Sequence, residues 1–211
     1  MTEFDPHCQR CSRLVEFLDK GRARHPDYHC APVAPFGDPA PRLLVVGLAP
    51  GFHGANRTGR PFTGDHAGLL LYETLYRCGW ASAAQSVSAI DGLELHGCRI
   101  TNAVKCVPPQ NKPLPAEIAL CNDYLAAELG QLGAGTVVLA LGAVAHGAVL
   151  RAFGLKSRQL PFRHGAEYEL PGGRMLVDSY HCSRYNTQTR RLTPAMFRAV
   201  LERATGLARR P

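Results

Sequence analysis

No stretch of this 211-residue sequence is apolar for long enough to cross a membrane. The longest runs, such as residues 136–144, fall well short of the roughly 20 residues a span needs. The first residues, with Glu3, Asp5 and Cys8 and no apolar core, do not resemble a secretory signal, so a reducing cytoplasm is the expected compartment and no membrane partner is expected. Neither G-x-G-x-x-G nor G-x-x-x-x-G-K-[ST] occurs, which argues against a dinucleotide or ATP site. The elbow G-x-S-x-G is missing as well, and Ser183 stands only two residues from His181, so a Ser/His/Asp hydrolase is set aside. Paired carboxylates are lacking beside the loops, which leaves electrostatics and positioning as the basis of any catalysis. Charged residues make up only 19% of the chain and hydrophobic ones 45%, too apolar for disorder. With no repeat and no interior linker, residues 1–211 read as a single domain, monomeric because no heptad or swapped element is present.

Lysine and arginine outnumber acidic residues 24 to 17, a formal charge of +7 that suits an anionic partner. The arginines cluster in loops (Arg57 and Arg60; Arg184, Arg190 and Arg191) and not along an amphipathic helix, which favours nucleic acid over membrane. The basic tail, residues 203–211, is expected to fray at its end. Eight cysteines without a secretory signal point to metal or redox chemistry before a disulfide framework. Cys8 and Cys11 form a C-x2-C pair opening a helix, and Cys106 and Cys121 bracket a proline-rich loop and the start of another. Four thiolates from these two segments suit tetrahedral zinc or an iron–sulfur cluster, and spacing alone does not separate the two. Cys30, Cys78, Cys98 and Cys182 have no paired spacing, and Cys78 and Cys98 read as buried spectators.

Short apolar runs predict strands over 43–48, 98–104, 136–141 and 175–180, with helices over 67–78, 115–132, 143–153 and 194–207 between and after them. Pro115 with Glu117, and Thr193 followed by Pro194, mark helix starts. The alternation predicts an α/β fold, a three-layer α/β/α arrangement around a central four-stranded parallel sheet. In such sheets ligands bind beyond the carboxyl ends of the strands. Three polar loops come together there: the glycine-punctuated loop 47–65, the turn 102–106 and the segment 181–188. The first lets backbone approach a ligand while offering arginine, an aromatic face and a carboxylate. Phe62, set between Arg60 and Gly64, is a stacking surface for a flat base, and Asp65 doubles as the N-cap of the next helix. Asn102 can read a donor and acceptor edge, and His181 sits at a strand's carboxyl end.

Four elements, in order, resemble the uracil-DNA glycosylase superfamily, and most closely its family 5, the type b branch. They are Cys8-Gln9-Arg10-Cys11; Gly47-Leu48-Ala49-Pro50-Gly51, which continues through Asn56-Arg57-Thr58-Gly59-Arg60 to Phe62-Thr63-Gly64-Asp65; Thr101-Asn102-Ala103-Val104-Lys105-Cys106 with Asn111-Lys112-Pro113; and Tyr180-His181-Cys182-Ser183 through Asn186-Thr187 to Arg191-Leu192-Thr193. The resemblance implies a structural [4Fe-4S] cluster held by Cys8, Cys11, Cys106 and Cys121. It implies hydrolysis of the N-glycosidic bond of uracil, and of other deaminated bases such as hypoxanthine, in DNA after the nucleotide is flipped from the duplex. Asp65, His181 and Asn102 are then the catalytic candidates. The base would lie against Ala49, Phe62, Asn102 and His181. Arg57, Arg60, Lys112, Ser183, Arg184, Tyr185 and Arg190 would contact DNA, with Tyr185 as a wedge in the gap left by the flipped base.

Two departures bear on mechanism. Leu48 stands where the related family 4 has a catalytic glutamate, which agrees with family 5 and leaves Asp65 as the remaining carboxylate. Cys182 follows His181 where a proline commonly does. The competing readings are a non-catalytic nucleic-acid-binding protein that keeps the fold and cluster, and a zinc-stabilised nucleic-acid module.

Overall fold

A computed structural model describes residues 3–209. Its centre is a sheet whose strands run in the order β1-β3-β2-β4-β6-β5, with β1 Phe36–Gly37, β2 Leu43–Gly47, β3 Cys98–Asn102, β4 Val137–Leu141, β5 Glu167–Leu170 and β6 Arg174–Ser179. The four expected strands, β3, β2, β4 and β6, are mutually parallel and form the middle. The sheet nevertheless has six strands, not four, because β1 and β5 add antiparallel edges. These edges escape the apolar-run criterion. β1 has two residues, and β5 reads Glu-Tyr-Glu-Leu with only Leu170 buried.

The two central strands, β2 and β4, carry no polar side chain because both faces are covered. Along β2, Leu43 and Val45 enter one core with Leu71, Leu75, Phe197 and Leu201, while Leu44 and Val46 enter another with Leu125, Leu129 and Val149. The first core lies beneath α3 (His66–Arg77) and α7 (Pro194–Ala208), and the second beneath α4 (Pro115–Gly130) and α5 (Ala143–Ala152). A third cluster, of Leu14, Leu18, Val104, Val107 and Tyr124, fastens α1 (Ser12–Arg24) against the β3–α4 connection. Bidentate pairing of Arg13 with Glu117, at 2.7 Å for both bonds, adds a polar clasp to the same contact.

Helix starts follow the sequence signals. Asp65 caps α3, Thr193 caps α7 ahead of Pro194, and Glu117 accepts from the Leu114 N–H at the head of α4. Two short helices were not foreseen, α2 (Ala55–Thr58) inside the glycine-punctuated loop and α6 (Arg184–Gln188) after β6. The basic tail 203–211, whose end is expected to fray, is helical to Ala208. Arg203 forms a bidentate pair with Glu167, and Arg209 donates to the Cys78 carbonyl beneath the Trp80 ring. Residues 210 and 211 of that tail lie outside the described residues. Among the described residues no helix is long and apolar enough to cross a membrane.

Candidate active site

The carboxyl ends of β2 and β3 are stitched together just past the sheet. The Ala103 N–H donates to the Gly47 carbonyl at 2.9 Å, and the Val104 N–H to the Leu48 carbonyl at 3.0 Å. Beyond this seam lies a cavity of about 250 Å³ bordered by Ala49, Phe62, Asp65, Asn102, His181 and Ser183, with Leu48 at its base. Glycine is required at position 47. A β-carbon there would stand 2.3 Å from Asn102 Oδ1 and 2.7 Å from the Phe62 ring, so only glycine lets both side chains close on the strand end.

Phe62 forms one wall. Its ring is 6% exposed and lies nearly parallel to the His181 imidazole, with centroids 5.8 Å apart and an interplanar angle of 26°. A flat apolar face of this kind suits stacking on a planar ligand. Its backbone is left-handed at φ +53°, a conformation that non-glycine residues rarely adopt.

His181 is delivered by the end of β6. The residue before it, Tyr180, is stacked on His164 at 4.9 Å, donates its N–H to His164 Nδ1 and lies under the Arg191 guanidinium. Asn186 Nδ2 then donates to the His181 carbonyl at 2.8 Å, which closes the turn into α6. The imidazole is deeply buried, and that burial lowers its pKa to about 4. It is therefore neutral at physiological pH, carrying one N–H donor and one bare nitrogen. Its Nδ1 is sealed from solvent without a partner, as is Oδ1 of Asn102. Buried polar atoms are rarely left unpaired, and both of these belong to residues that border the cavity.

Asp65 has two tasks. Oδ1 accepts from the Gly68 N–H at 2.9 Å and caps α3, while the carboxyl group packs over Gly54, where a β-carbon would come within 2.5 Å of Oδ2. Burial raises its pKa above the usual value, and the Gly68 and Ala67 N–H groups oppose that rise. A desolvated carboxylate held by helix amides stands ready to face developing positive charge.

The remaining candidates divide. Ser183 caps α6 and borders the cavity, and Arg184 lines its rim. Tyr185, next along, is 71% exposed. Arg57, Lys112 and Arg190 are exposed outside the cavity. Arg60 departs from the expected phosphate contact: it is 6% exposed and turns inward, bonded to Asp91 at 2.6 Å, the Ala89 carbonyl at 2.6 Å and Ser86 at 3.1 Å. Three of its five N–H donors are spent inside the protein, and burial keeps the guanidinium away from DNA. Two polar residues of the cavity have no role assigned from the sequence, His66 and Asn111, the latter from the short 3-10 turn Pro109–Asn111. Gln110 and Asn111 both have φ of +56°. The available signal was an asparagine inside a proline-bracketed loop, since asparagine tolerates left-handed backbone.

Cys8, Cys11, Cys106 and Cys121 border a second, smaller cavity between α1 and the β3–α4 connection, and all eight cysteines of the chain are free thiols. Among the described residues no three potential ligands are gathered tightly enough to grip a metal ion. The Lys105 N–H donates to Cys121 Sγ at 3.2 Å. Burial, reinforced by the neighbouring thiols, pushes Cys106 up to about 12 and raises Cys11 and Cys121 as well, whereas at Cys8 burial is outweighed by hydrogen bonds with Tyr124 and Arg10, which lower the pKa. That donor set fits a thiolate-ligated metal group.

Residues 34–205 match the family model of the uracil DNA glycosylase superfamily. The type-5 uracil-DNA glycosylase of Thermus thermophilus is 50% identical over 206 residues, covering 95% of this chain and 94% of that protein. Its counterpart from Mycobacterium leprae is 42% identical over 209 residues, covering 95% and 91%. A type-4 uracil-DNA glycosylase from Thermotoga maritima is 32% identical over 143 residues, covering 67% and 65%. Likeness on this scale leaves no large part of the described fold or of the cavity outside it, and the chain belongs to the uracil DNA glycosylase superfamily, on its type-5 side.

Proposed function

We propose that the chain is a monofunctional DNA glycosylase that hydrolyses the N-glycosidic bond of uracil in DNA and leaves an abasic site. One observation carries this reading: a single cavity is bordered by Phe62, Asp65, Asn102 and His181, the last two of which each keep one buried polar atom without a partner. The cavity takes a base only when it is out of the stack, so the nucleotide is flipped in. Phe62 then lies against the base plane, and Asn102 pairs with its edge. As the glycosidic bond lengthens, negative charge gathers on the base and positive charge on the sugar. The neutral His181 imidazole donates to the base oxygen that gains charge, an interaction stronger in the transition state than in the ground state. Asp65 balances the sugar cation and holds the attacking water.

No acidic or aromatic side chain stands at Leu48, Ala49, Ala55 or Ala67, which line the same cavity. This supports excision of larger deaminated bases such as hypoxanthine, since small apolar walls discriminate weakly between shapes. Arg57, Lys112, Ser183, Arg184 and Arg190 are assigned to the DNA backbone. We assign Cys8, Cys11, Cys106 and Cys121 to a [4Fe-4S] cluster. When bound, it supplies a structural cross-link between the N-terminal segment and the β3–α4 connection, next to the strand end that carries Asn102. The monomer and the cytoplasm complete the reading.

Excision from a duplex with one uracil opposite guanine, followed by alkaline cleavage of abasic sites, tests it. Wild-type protein cuts at the uracil, and Asp65→Asn and His181→Ala cut far more slowly. A cluster-bearing protein that binds the duplex and releases no base would defeat it. Parallel hypoxanthine and thymine substrates test the range.

A further inference from the structure

Phe62 holds its ring in the cavity only by keeping its backbone left-handed, at φ +53°. For a bulky residue that conformation is unfavourable, and it persists only where the surroundings over-determine it. Both flanks of Phe62 are gripped. On one side the buried Tyr72 hydroxyl donates to the Pro61 carbonyl at 2.8 Å. On the other, the Thr63 hydroxyl is 2.8 Å from Ser86 Oγ, and the Gly64 N–H reaches the Ser86 carbonyl. Ser86 belongs to a loop that folds around Asp91, whose carboxylate accepts from the Val87, Ser88 and Leu93 N–H groups at 2.8, 3.2 and 3.1 Å. Arg60, two residues before Phe62, closes the circuit through its bonds to Asp91, Ser86 and the Ala89 carbonyl, with its guanidinium 4.3 Å above the centre of the Phe36 ring. The Arg60–Asp91 pair is almost wholly buried, with side chains 7% and 11% exposed.

We infer that the loop 86–91, through the buried Arg60–Asp91 pair and the Ser86–Thr63 contact, is a clamp that positions Phe62 as the base platform. The clamp lies outside the cavity and touches no substrate. Arg60 and Asp91 are therefore positioning residues, acting through Phe62. This rests on the glycosylase reading of the cavity, where a wall displaced by about 1 Å can slow the reaction about 100-fold.

A double-mutant cycle between Asp91→Asn and Phe62→Ala separates positioning from simple stabilisation. Single-turnover excision of uracil at saturating enzyme is measured below the melting transition of every variant. Asp91→Asn is expected to slow excision at least tenfold when Phe62 is present and less than twofold in the Phe62→Ala background, with affinity for product abasic DNA unchanged. Equal slowing in both backgrounds, or a lowered melting temperature with an unchanged rate, overturns the clamp. Ser86→Ala, which removes one hydroxyl without stranding a buried charge, runs the same cycle if Asp91→Asn does not fold. Hydrogen exchange over residues 60–65 reads the clamp without substrate: faster exchange there in the clamp variant, with α5 unaffected, supports it, and a uniform rise refutes it. A wild-type protein that excises no uracil would sink the glycosylase reading, and exchange would then decide the clamp alone.

Discussion

In the proposed reaction His181 acts as a neutral hydrogen-bond donor, and its protonation should leave no mark on activity near pH 6.5. Burial lowers its pKa from 6.5 to about 4, a gap equivalent to about 3 kcal/mol against the charged ring. The sign follows from linkage. A histidine whose folded pKa is depressed contributes its full stability above the unfolded value of 6.5, and that contribution drains away as pH falls from 6.5 towards 4. Single-turnover excision of uracil, followed from pH 5 to pH 9, should therefore show no step with a midpoint near 6.5. The same scan on melting temperature should show a decline below pH 6.5 that is reduced in His181→Ala. That variant should lose about 100-fold to 1000-fold in excision rate, the usual consequence of deleting one donor to a developing oxyanion. A rate step near pH 6.5 that disappears with His181 would mean that the ring is charged when it acts, and the neutral-donor mechanism would be wrong.

Tyr185→Ala should leave the melting temperature nearly unchanged, because the side chain is 71% exposed, while slowing excision from duplex more than from single-stranded DNA; equal slowing on both would reject the wedge. His146 Nε2 lies 2.8 Å from the Leu160 carbonyl and Nδ1 the same distance from Asp178 Oδ1, an arrangement that favours the charged ring. Burial opposes that charge, but Asp178 and Leu160 overcome it and hold the pKa above 6.5, so its stabilisation is full below 6.5 and lost as pH rises through the folded value. His146→Ala should be destabilised by about 3–5 kcal/mol in urea at pH 6, with the gap to wild type narrowing towards pH 9; a gap independent of pH would show a neutral pair. Cys106→Ser should abolish the visible absorption of an iron–sulfur cluster and lower iron per protein, whereas equimolar zinc in the wild type would replace the cluster by a single ion.

The layers of the fold were legible because the middle strands pay no attention to solvent. Leu43–Gly47 and Val137–Leu141 are buried at every position, so their composition alone announces a strand covered on both sides. Edge strands give no such notice. Glu167 and Glu169 leave β5 looking like a loop, although its register with β6 is regular. Nor does a local pattern mark α6, whose Arg-Tyr-Asn-Thr-Gln sequence has no apolar stripe and is built on the Ser183 cap. The anchoring of the basic tail is hidden for a related reason: the partners of Arg203 and Arg209, Glu167 and the Cys78 carbonyl, lie on elements far away in sequence.

Arg57 and Arg60 show where motif reading stops. They lie three residues apart in one loop, and their charges are identical. Only the fold separates them, because the partner of Arg60 is Asp91, 31 residues on, in a stretch that no motif marks. What distinguishes a DNA-facing arginine from a structural one is thus the presence of a buried carboxylate at the right depth, a three-dimensional fact. Asp65, by contrast, is readable both as a cap and as a cavity residue because the two placements share one cause. A short acidic side chain just before a helix is the natural cap, and capping turns the carboxyl group towards the amides of that helix. Here the helix begins at the cavity edge, so the capping carboxylate is also the cavity's carboxylate. With Leu48 unable to supply charge, the proposed reaction depends on an acid that the fold requires for a separate reason. Its position relative to the base is therefore set by α3 and not by the loop, which makes the helix start, more than the glycines before it, the fixed reference of the site.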